Sequence, residues 1–159
     1  LVGFCDLIEK RNFLAAAPLL RLQLDNLLRF QAAWLVEDPH ALATEVFSGK
    51  RIRDMQDKDG KKMTDAYLIE KISIDHPVLK SVYEHTSGYV HLSDKHIFNS
   101  LGKKSKDGEF GMKVGPTDDF ITETVYLEAA RAFFEITGIL FSYLQGWYVA
   151  KDGPQKPRK

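Results

Sequence analysis

A single cysteine, Cys5, stands among the 159 residues, so no disulfide can form within the chain. That usage fits a reducing compartment, and a cytoplasmic location is expected. A lone thiol of this kind is more often a small buried apolar side chain than a nucleophile. Net charge is lacking too: 22 Lys plus Arg balance 22 Asp plus Glu. The balance gives no reason to expect nucleic acid or an anionic membrane as a partner, although it leaves room for a local basic patch. No run of about 18 apolar residues appears, so neither a membrane span nor a membrane partner is expected. Leu1 to Glu9 is apolar without a basic segment before it, which argues against a signal peptide. The start at Leu1 rather than methionine reads as a trimmed chain or a fragment of a longer one.

Motifs are equally sparse. The chain has no phosphate-binding G-x4-G-K-[ST] loop, no G-x-G-x-x-G and no G-x-S-x-G elbow. Asp57-x-Asp59-Gly60 has the look of a calcium loop. With Gly60 at position six, however, position one is Met55 and position twelve is Ala66, so the first carboxylate and the bidentate glutamate are missing. No metal and no cofactor are expected.

What is present is helical. Hydrophobic residues make up 44% and charged residues 28%, ordinary for one globular domain. Gly3 to Phe13 reads as the tail of a first helix. Ala15 to Val36 is a strong second one, with Leu20, Leu24, Leu27, Leu28, Trp34 and Leu35 on one face and Pro18 suited to its first turn. Arg21, Asp25 and Arg29 follow at steps of four, either as an ion-pair ladder or as a functional pair of cations. Asp38 caps a helix with Pro39 first, ending about Phe47 before Ser48–Gly49. The charged run 50–63 is expected to be a solvated helix–turn–helix surface, and Thr64 to cap a helix through Lys71.

Pro116 to Asp119 open the longest helix, expected to end about Ala150. Phe120, Leu127, Phe134, Phe141 and Tyr148 repeat every seven residues, and Tyr126, Phe133, Leu140 and Trp147 widen the stripe. A face this broad predicts a central place in a bundle. Residues 96–114 change period: His96–Leu101 and Glu109–Val114 read as a small β-hairpin whose tip carries Lys103, Lys104 and Lys106. The fold class is therefore mainly α, a helical bundle with a β-hairpin inserted before the long C-terminal helix. Residues 1–150 form a single domain, and 151–159 a disordered tail.

Four of the five histidines fall between His76 and His96. Leu79, Val82, Tyr83, Thr86, Val90 and Ser93 form the inward stripe of a helix there. Lys80, Glu84, Ser87, Gly88, His91 and Lys95 lie opposite, with Glu84, Ser87 and His91 as neighbours. This face is either plain solvated surface or a cleft in which Glu84 or Ser87 orients His91 as general acid or base. His85, His91 and His96 lack the i, i+4 step of a helical zinc site.

The order of LLRLQLDNLLRF (Leu19–Phe30), then Y-x3-S-x3-H (Tyr83, Ser87, His91), a hairpin-like insertion and a long closing helix resembles a group of bacterial helical proteins similar to the HEPN superfamily (higher eukaryotes and prokaryotes nucleotide-binding). The resemblance spans roughly Leu19 to Leu144. It implies a bundle-forming homodimer, in some relatives a metal-independent ribonuclease of toxin–antitoxin, phage-defence or stress systems, with His91 handling protons at the dimer seam. The R-x4–6-H signature of such nucleases is absent here: Thr86, His85 and Glu84 occupy those positions before His91. Arg21 or Arg29 would then hold the phosphate and the hairpin lysines the RNA backbone, making binding salt-dependent. The alternative is a non-catalytic homodimeric helical module that binds a protein or small ligand, its seam formed by Phe133, Leu140 and Trp147.

Overall fold

The computed structural model describes residues 1–86, 117–118 and 121–152. Six α-helices run in order among them: α1 (Val2–Glu9), α2 (Phe13–Ala32), α3 (Pro39–Phe47), α4 (Asp65–Ile72), α5 (Val78–Thr86) and α6 (Glu123–Asp152). The protein is mainly α. Among the described residues there is no strand, and the expected hairpin at 96–114 lies outside them. The long helix runs two residues past its expected end; residues 153–159 are also outside the described set.

The start signals read from the sequence operate as written. Asp38 Oδ1 accepts from the amides of His40 (2.9 Å) and Ala41 (3.0 Å), with Pro39 in the first turn. Those two N–H donors hold the Asp38 carboxyl below its ordinary value. Thr64 Oγ1 accepts from Tyr67 N at the head of α4. Gly49 supplies the left-handed turn (φ 95°) after α3. The second helix begins at Phe13, two residues earlier than expected, because Asn12 caps it through Ala15 N. Pro18 therefore falls beyond the first turn, inside the helix.

The hub is α2, not the long last helix. It packs along α6 as the main helix pair and also against α1, α4 and α5. Leu24, Leu27 and Leu28 are 0% exposed. Each such side chain contributes about 2 kcal/mol by leaving water. Gln31, buried, lies with its NH2 toward Leu68 O and its oxygen toward Ile72 N, each at 3.1 Å, and so pins α2 to α4. Gln23 Nε2 donates to Thr137 Oγ1 (3.1 Å), which donates to Phe133 O, and so pins α2 to α6.

Four expectations are corrected. On α6 the buried apolar residues are Tyr126, Ala129, Phe133, Ile136 and Ile139, whereas Leu127 (51%), Phe134 (58%), Phe141 (55%) and Tyr148 (64%) face outward. A seven-residue step drifts only about 20° per repeat on a 3.6-residue helix, so both sets read as stripes and only packing chooses between them. Phe133, assigned to an outward seam, instead stacks face to face on Phe4 (centroids 3.9 Å apart, 3° between planes). Trp34 is half-exposed, because α2 ends at Ala32 and the chain turns before it. It meets Tyr143 edge-on, its ring 3.4 Å from where a Cβ would stand on Gly146. The run 50–63 is not a helix–turn–helix but a short 3-10 turn (Ile52–Asp54) and a tight loop closed by the antiparallel bridge Gln56–Lys62. Met55 and Met63 anchor its base in the core, and Gly60 makes the tip (φ 77°).

Candidate functional site

The side chains chosen from sequence sort into three places. Ser87, His91, Lys103, Lys104 and Lys106 lie outside the described residues. Glu84 is exposed on α5. The two arginines are committed to the fold. Arg21 is 7% exposed; its Nε donates to Asp25 Oδ1 (3.0 Å), and its guanidinium lies over the Tyr83 ring of α5, 4.2 Å from the centroid. Arg29 pairs with Asp65 at the start of α4 (2.5 Å) rather than with Asp25. The expected ladder is thus one rung long. The second cation bridges helices instead.

The structure brings Arg21 against the helix that carries Glu84 and His85, which sequence spacing alone did not show. A guanidinium stacked on an aromatic face and paired with a carboxylate has little capacity left for a phosphate. Arg21 therefore positions α5 on α2.

Along the other side of α5 runs a groove of about 550 Å³, floored by Phe13 and Leu20 of α2 and walled by Val82 of α5 and Val125, Ala129 and Ala132 of α6. Its rim carries His85, Glu128, Arg131 and Glu135. His85 is the oriented histidine among the described residues. Its Nδ1 lies 2.7 Å from Ser81 O and 3.3 Å from Ser81 Oγ. A carbonyl only accepts, so Nδ1 carries the proton and Nε2 is the basic nitrogen of the neutral ring. Ser81–His85 repeats the S-x3-H step that singled out Ser87–His91. The same spacing was the signal that could have found it.

A second polar cluster, missed in the sequence, sits in the loop after the 3-10 turn. Asp57 is buried; its Oδ1 accepts from Asp59 N (3.0 Å) and Lys61 N (2.8 Å), and its Oδ2 accepts from the Tyr67 hydroxyl. Lys71 and Lys61 approach the Tyr67 ring at 5.4 and 6.0 Å. Burial pushes the Asp57 carboxyl up, but the Tyr67 hydroxyl, the two amides and the Lys71 charge outweigh it, and its pKa ends below the ordinary value. Burial, then the Asp57 hydrogen bond and the nearby carboxylates, push the Tyr67 phenol up to about 12. Both Asp57 oxygens are satisfied from within, so the aspartate that suggested a calcium loop is a loop staple. Among the described residues no group of three His, Cys, Asp or Glu side chains is placed to hold a metal ion. None of their helices is long and apolar enough to cross a membrane.

Against this geometry the comparisons are blank: no family model, no curated protein and no solved structure matches the chain.

Proposed function

We propose that this chain is a non-catalytic, HEPN-like helical interaction module of the cytoplasm that works as a homodimer. One observation supports the reading: Leu127, Phe134, Phe141 and Tyr148 stand in a line on α6, each more than half exposed. Scattered surface apolar residues need no explanation, but four large ones repeating at seven-residue steps along one side of a helix are the mark of a contact surface. The seam is this stripe, not the Phe133-centred one. Wild-type protein should sediment at twice the chain mass at micromolar concentration. Phe134→Asp should sediment as a monomer with unchanged helical circular dichroism. A wild type that stays monomeric, or an aspartate variant that stays dimeric, overturns the reading.

An RNA-directed, ribonuclease-like role in a defence, toxin or stress system is the second reading. It is favoured by the Arg21–Tyr83 contact, which puts a cation against the helix that carries Glu84. It ranks second because Asp25 and Tyr83 already engage that cation. RNA cleavage lost on His91→Ala, with binding that weakens as salt rises, would lift it to first place. Full cleavage by His91→Ala would remove the role given to His91.

A further inference from the structure

The α6 stripe has a centre, and the centre is a glycine. Leu127, Phe134, Phe141 and Tyr148 are arranged symmetrically about the Thr137–Gly138 peptide, spanning about 32 Å of helix. Thr137 is buried and bonded inward, but Gly138 is exposed on the stripe's own side, and a Cβ built there would meet nothing within 4 Å. The midpoint is therefore where another backbone can come closest. We infer that the stripe is occupied by α6 of a second copy, running antiparallel and crossing at Gly138, so that Phe134 meets Phe141 of the partner subunit and Leu127 meets the partner's Tyr148. The inference rests on the dimer reading above and adds its geometry.

Three further features agree. A twofold contact needs a self-complementary patch, and reversal about the Thr137–Gly138 peptide returns apolar residues to apolar residues at each of the four positions. The helix dipoles choose the direction: antiparallel copies set each N-terminal half against the partner's C-terminal half, whereas parallel copies bring like ends together. Area is adequate. Three aromatics and a leucine, each about half-exposed, offer about 400 Å² of apolar surface. That is half of the ~800 Å² that each partner gives to a standard interface, and Arg131, Gln145 and Val149 flank it to add to the rest.

Single cysteines introduced into a Cys5→Ser background test the arrangement under mild oxidation, with sedimentation run in parallel. Gly138→Cys should cross-link to itself. Leu127→Cys and Tyr148→Cys should each stay uncross-linked alone and form a mixed dimer together, identified by mass. A dimer in which Leu127→Cys and Tyr148→Cys each cross-link to themselves is parallel and overturns the antiparallel arrangement while leaving the dimer. A dimer with no cross-link at any of the three positions places the seam elsewhere and overturns the inference. A monomer at all concentrations overturns both readings.

Discussion

At the scale of single residues the molecule spends its polar groups on itself. Tyr67 and Asp57 form the tightest example, and they set a pH window. The phenol is raised to about 12 in the fold against 10.0 unfolded, so its contribution to stability is complete below pH 10 and is lost as pH climbs through about 12. The carboxyl is lowered, so its contribution is present above the ordinary value of 3.8 and is lost as pH falls through the folded value. Ultraviolet titration should show Tyr67 ionising near pH 12, and Asp57→Asn should bring it down toward 10. An unmoved titration would mean that burial alone raises it. Arg21 offers a second check. Arg21→Ala removes a buried cation, its Asp25 partner bond and its Tyr83 stack, and should cost about 2 kcal/mol in denaturant unfolding. Arg21→Lys should recover only part, because an ammonium cannot reproduce the planar stack.

Among the elements, the least local device is the strap that closes α1, α2 and α6 together. Asp118, buried, accepts from Leu14 N through Oδ2 (2.8 Å) and donates its own amide to Arg11 O (2.8 Å). The Tyr126 hydroxyl donates to the same carbonyl (2.7 Å), and Arg11 lies over the Tyr126 ring with an ion pair to Glu123. Arg11 takes a left-handed conformation (φ 55°) to present that carbonyl. A residue more than a hundred positions away thus caps α2. Asp118→Ala should cost about 2 kcal/mol, the range for a charged hydrogen bond whose partner is left buried. Native-state hydrogen exchange should show Leu14 losing protection first. Retained protection there would mean that Asn12 caps the helix unaided.

This contrast explains what could be read from the chain beforehand. Caps at Asp38 and Thr64, the Leu24–Leu28 face of α2 and the inward Leu79 and Thr86 of α5 are local signals and were legible. The strap was not, since nothing near Asp118 in sequence marks Leu14 as its partner. The run 50–63 misled because its charges are real but its two methionines are the part that decides its shape. For the candidate site, the S-x3-H step was legible and was read at the second of its two occurrences. The commitment of both arginines to internal partners depended on which helices meet.

For the whole molecule, the buried leucine face of α2 and the outward face of α6 should respond oppositely to truncation. Leu27→Ala on α2, in the fully buried contact layer, should cost about 3 kcal/mol. Phe134→Ala should leave monomer unfolding nearly unchanged and weaken self-association instead. A comparable loss of monomer stability in both variants would show that the stripe is covered within one copy. The stripe's exposure would then owe nothing to a partner.

The pairing of α2 with α6 carries a consequence in time. Ala32, the last residue of α2, is made 91 residues before Glu123, the first of α6. At ~5–20 residues per second, the leucine face of α2 waits about 5–18 s on the ribosome before its main cover emerges. Through that interval α1, α4 and α5 are its main shields among the described helices. A nascent chain stalled before α6 should be held by general chaperones and cut readily by protease, and release of the completed helix should end both.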